Sequence, residues 1–179
     1  MVAARSLVNA LSLTRVGLAL LFVLCFQRQP ALLAIATGLC ILAFVTDRLD
    51  GYIARRLRVA SIHGRLWDSL GDKSFYVGTI IAFQGQGFLH PVLAWGLIVR
   101  EVALYITRIL FIGNLSKIEQ TRPFTKGHGY FMCLTIILGL FGMYAEIRGL
   151  QIVVYPAMQA TAFLALVCGL GSMIHYLRL

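Results

Sequence analysis

Residues 47–73 read DRLDGYIARRLRVASIHGRLWDSLGDK and hold all four aspartates of a 179-residue chain that is 59% hydrophobic and only 13% charged. Asp47 and Asp50 are three residues apart, and Asp68 and Asp72 are four apart, so on helices each pair shares a face. Ala54 continues the first face by one turn, and Gly64 opens the second. A carboxylate inside a membrane helix costs about 2.5–3.5 kcal/mol on insertion scales, which makes such acids functional candidates. If the two pairs face one another, four negative charges converge, and repulsion forces protonation unless cations neutralise them. Hard oxygen donors without Cys or His suit two Mg²⁺ or Mn²⁺ ions, with positions left open for phosphate oxygens. Gly51, Ala54 and Gly64 have small side chains that let a nucleotide or a neighbouring backbone come close.

Outside this stretch the chain is oily. A mean hydropathy of +0.83 is too high for an ordinary soluble globule of this length. Apolar runs at 7–26, 31–55, 65–84, 91–112, 127–145 and 152–177 each approach the roughly 20 residues that a helix needs to cross a bilayer. The expectation is one all-α membrane domain over residues 1–179, with six transmembrane helices. Arg15 interrupts the first run and no small-x-small cleavage site follows, so the first helix is expected to be retained. Cys25, Cys40, Cys133 and Cys168 sit inside apolar runs with no CxxC pair, as small buried hydrophobes do.

The net charge of +9 would raise nucleic-acid binding in a soluble protein, but the apolar runs leave no room for such a domain, and the charge instead suits topology, anionic lipid or a phosphorylated substrate. Arg55, Arg56, Arg58 and Arg65 crowd one connection, Lys117, Arg122 and Lys126 another, and Arg5 and Arg178 mark the ends; the alternate connections hold Arg28 and Arg148. The positive-inside rule then puts both termini and the aspartate stretch on the cytoplasmic side.

The pattern Asp47-xx-Asp50-Gly51-xx-Ala54-Arg55, eight residues, Gly64-xxx-Asp68-xxx-Asp72 fills eight positions in 26 residues. It resembles the complete motif of the CDP-alcohol phosphotransferase (CDP-alcohol phosphatidyltransferase) family. Gly71 stands where many members have Ala, a small residue for a small one. The resemblance implies six transmembrane helices and a short amphipathic N-terminal segment, to which VNALSLTR at 8–15 is similar, in a bacterial-type inner membrane. It also implies an enzyme that displaces CMP from a CDP-alcohol, usually CDP-diacylglycerol, with the hydroxyl of a second alcohol. By the same resemblance Asp47, Asp50 and Asp68 bind divalent metal, and Asp72 both reaches the metal and acts as general base. Gly51, Ala54, Arg55, Gly64 and Asn9 would shape the cytidine diphosphate pocket, and the protein would be a homodimer.

The acceptor is sought in IVREVALYITR at 98–108. Arginines inside an apolar span call for an anion or an acid, and Glu101 is the acid at hand for Arg100. The Arg-Glu pair resembles the phosphatidylglycerophosphate synthase branch, which implies that Arg100, Arg108, Arg122 and Lys126 meet the phosphate of glycerol 3-phosphate. Inositol phosphate and phosphatidylglycerol also fit such a basic set, whereas serine does not. Lys117 and His128 lie in the same region. The competing readings are interfacial ion pairs of the aspartates with Arg48, Arg55 and Arg65, a cation transporter, and a catalytically silent relative.

Overall fold

The computed structural model describes residues 2–56, 62–110, 122–147 and 151–177. Among them lie six helices: α1 (Val2–Cys25), α2 (Pro30–Arg56), α3 (Ile62–Gly85), α4 (Pro91–Leu110), α5 (Arg122–Ile147) and α6 (Gln151–Leu177). Every expected helical segment is present. α3 and α5 begin three and five residues before the apolar runs, and Pro123 stands in the first turn of α5, where a missing N–H costs no intrahelical bond. α1 runs unbroken through residues 8–15, so the polar N-terminal stretch forms its early turns rather than a separate segment.

The connections follow local chemistry. Pro30 and Pro91 each take the first helical position, where the missing N–H has no intrahelical partner to lose. α3 ends in a Schellman cap: Gly87 N donates to Gln84 O at 3.0 Å and Phe88 N donates to Phe83 O at 2.8 Å. Gly87 takes φ +79°, a conformation that costs a residue with a Cβ.

Two compact units emerge, residues 1–82 and 83–179. In the first, Phe22 packs edge-on to Phe75 with ring centroids 5.8 Å apart, and a Cβ at Gly78 would come within 3.1 Å of the Ala19 Cβ. That glycine lets α3 approach α1 closely. In the second, α6 packs along both α5 and α4. Gln159 of α6 accepts from His90 N at 3.2 Å and donates to Phe88 O at 2.9 Å, which ties the connection before α4 to α6.

Among the described residues, only three helices are long and apolar enough to cross a membrane: Pro30–Leu49, Phe124–Ile147 and Val153–Ile174. This corrects the expectation of six transmembrane helices. α3 carries Arg65, Asp68, Asp72 and Lys73 in its first half, and α4 carries Arg100, Glu101 and Arg108. The described apolar part of α1 is Leu13–Cys25, about 20 Å long against a hydrocarbon core of about 30 Å. Leu20, Leu24, Val92, Leu110, Tyr130 and Val153 are all at least 65% exposed. Large apolar side chains facing outward along long apolar helices are what lipid contact requires, and the chain is an integral membrane protein.

Candidate active site

In the first unit, three helices contribute to one charged cluster. Asp47 lies near the end of the apolar span of α2, and Asp72 lies ten residues into α3. Arg15 comes from α1 and is 1% exposed. Its Nη1 stands 3.3 Å from Asp47 Oδ1 and donates to Asp72 Oδ1. The first and last aspartates of the 47–72 pattern therefore meet at a single guanidinium nitrogen. The aromatic packing of Phe22 against Phe75 lies on the same two helices, within two turns of Arg15 and one of Asp72.

Among the described residues, Arg15 brings one positive charge to two carboxylates, Asp47 and Asp72. Both carboxylates are about two-fifths exposed, at 41% and 38%, whereas the arginine is enclosed. A buried guanidinium without counter-charges is costly, so Arg15 is anchored and the carboxylates keep open sides. All-oxygen donors fit a hard divalent cation. Among the described residues no group of three or more His, Cys, Asp or Glu side chains gathers in metal-ligating fashion.

Several expected residues lie outside those whose side chains are described. They are Asp50 and Asp68 of the acidic set, Asn9, Gly51, Ala54, Arg55 and Gly64 of the nucleotide set, and Arg108 and Arg122 of the acceptor set; Lys117 lies outside altogether.

The second unit holds a separate cluster, almost wholly buried. Arg100 and Glu101 of α4, His128 of α5 and Ser172 of α6 are 3%, 1%, 4% and 2% exposed. Arg100 Nη1 donates to Glu101 Oε1, and Nη2 donates to Ser172 Oγ at 3.1 Å. His128 Nε2 stands 2.6 Å from the same Glu101 oxygen, and its Nδ1 bonds Ala165 O at 2.8 Å. A Cβ on Gly169 would fall 2.6 Å from Arg100 Nε, so the cluster depends on a residue without a side chain there. Lys126, two residues before His128, is exposed.

Arg100 thus has the acidic partner suggested by its neighbour in sequence, and His128 joins the same group. Two participants escape sequence reasoning. Arg15 announces itself only as a lone charge in an apolar run, and Ser172 in GLGSM gives no signal at all.

The sequence model of the CDP-alcohol phosphatidyltransferase family matches residues 5–171. A Mycoplasma pneumoniae CDP-diacylglycerol–glycerol-3-phosphate 3-phosphatidyltransferase is 41% identical over 66 residues, covering 37% of this chain and 29% of that protein. The enzyme of that name from Cereibacter sphaeroides is 33% identical over 114 residues, 62% of this chain and 48% of the relative. The Rickettsia felis protein of that name is 24% identical over 174 residues, covering 92% of both. The chain spans less than half the length of the first two. No solved structure matches.

Proposed function

Because the chain belongs to the CDP-alcohol phosphatidyltransferase family, we propose that it displaces CMP from CDP-diacylglycerol with a hydroxyl of glycerol 3-phosphate. The observation that carries this reading is the filled aspartate pattern of residues 47–72, with its first and last members drawn to Arg15. The acceptor rests on the relatives, each named for transfer to glycerol 3-phosphate, and on the basic residues of α4 and α5. Inositol phosphate and phosphatidylglycerol are the acceptors to be tested against it.

In this reading Asp47, Asp50, Asp68 and Asp72 hold two Mg²⁺ or Mn²⁺ ions. When bound, such ions neutralise the diphosphate and stabilise charge developing on the leaving group. Asp72 takes the proton of the acceptor hydroxyl, whose oxygen bonds to the phosphorus bearing the diacylglycerol. The phosphoanhydride bond to CMP breaks, and its electron pair leaves with CMP. An alcohol is a weak nucleophile until a base within hydrogen-bond reach removes that proton. Arg15 holds the Asp72 carboxylate in place. Asn9, Gly51, Ala54, Arg55 and Gly64 line the cytidine diphosphate. Arg100, Arg108, Arg122 and Lys126 receive the acceptor's phosphate, for which the planar guanidinium offers paired donors. The protein works as a homodimer, and the arginine-rich residues 55–65 face the cytoplasm by the positive-inside rule.

The test is CMP release by purified protein given CDP-diacylglycerol, Mg²⁺ and each acceptor in turn, with the lipid product identified by mass. Product from glycerol 3-phosphate supports the proposal. Product from inositol phosphate alone overturns the acceptor, and ion flux into liposomes with no CMP release overturns the reaction.

A further inference from the structure

The buried cluster of the second unit is a chain of close polar contacts whose two ends rest on α6. His128 Nδ1 bonds the carbonyl of Ala165, which can only accept, so Nδ1 carries a hydrogen. Its Nε2 lies 2.6 Å from Glu101 Oε1, a close contact whose alignment falls short of a hydrogen bond. Glu101 takes a bond from Arg100, Arg100 donates to Ser172, and Ser172 donates to the carbonyl of Gly169 at 2.7 Å. Ala165 and Gly169 are one helical turn apart.

Neighbours one apart on a helix point about 100° away from each other, so Glu101 does not meet Arg100 by spacing alone. His128, on another helix, contacts the same carboxylate oxygen as Arg100 does. We propose that His128, acting through Glu101, is a positioning residue for acceptor recognition: it fixes the Arg100 guanidinium in the orientation that receives a phosphate-bearing acceptor. This rests on the reading of Arg100 as a contact to the acceptor's phosphate.

The test is steady-state kinetics of the full chain in detergent, with both substrates varied, on Arg100→Lys, Glu101→Gln, His128→Asn and His128→Gln. Asparagine places its amide nitrogen near the position of Nδ1, which keeps the bond to Ala165 and loses Glu101. Glutamine places a donor near Nε2 and keeps Glu101. His128→Asn is expected to raise the KM for glycerol 3-phosphate by about tenfold or more, the worth of a charge-assisted bond, with the KM for CDP-diacylglycerol within about twofold. His128→Gln is expected to recover most of that loss. Equal changes in both KM values, or a glutamine variant as impaired as the asparagine one, overturn the proposal. An unchanged acceptor KM in Arg100→Lys removes the underlying reading of Arg100, whereas a raised one beside an unaffected His128→Asn removes the positioning role alone. If His128→Asn does not elute as a folded species, Glu101→Gln decides through the same two KM values.

Discussion

Arg15 does most to organise the acidic cluster, and the consequences of its loss follow from its surroundings. It is enclosed while the two carboxylates it serves are partly wet. Arg15→Ala leaves Asp47 and Asp72 facing each other and opens a buried void. The expected cost is about 1–3 kcal/mol, below that of a fully buried pair because water screens the acids. A thermal melt in detergent checks this, and CMP release is expected to fall with it. Asp72→Asn is close to isosteric, so the protein is expected to elute and melt much as the unsubstituted chain does. Its turnover is expected to drop by roughly 10²–10⁴-fold, the usual worth of a positioned base. Retained CMP release in that variant would remove Asp72 as the base.

Between helices, small residues set the spacing. A Cβ at Gly169 would meet Arg100 Nε at 2.6 Å and His128 Nδ1 at 3.1 Å, and one at Gly38, inside α2, would meet nothing within 4 Å. Gly169→Ala must push α6 away from α4 and α5 or break the ionic cluster, at a cost of about 1–3 kcal/mol. Gly38→Ala is expected to be neutral or to stabilise by up to about 1 kcal/mol through helix propensity. Melting both variants side by side separates the effect of packing from that of composition. The helices themselves are legible in the hydropathy pattern, and their early starts at Ile62 and Arg122 are not. Polar residues such as those of RPFTK add no apolar period, yet nothing in them past Pro123 opposes helix.

For the molecule as a whole, two outcomes are expected of the full chain. It should stay with membranes through an alkaline carbonate wash, since its apolar side chains point outward along three membrane-length helices. Chelation with EDTA should abolish CMP release, and Mg²⁺ or Mn²⁺ should restore it; activity that persists in EDTA would rule out the metal role of the aspartates. Sequence alone determined the six helices and the pairing of aspartates on helix faces, because both are periodic and act over a few residues. It also pointed to the family, through eight residues in one short stretch. Only the tertiary structure decided that Arg15 joins Asp72 across 57 positions and that Arg100 joins Ser172 across 72. That three rather than six helices among the described residues are long and apolar enough to span a bilayer follows from where each helix begins and ends and from its composition. Partners so far apart obey no local rule: burial in an apolar interior makes an unpaired charge costly, and the packing of helices determines which partner lies within reach.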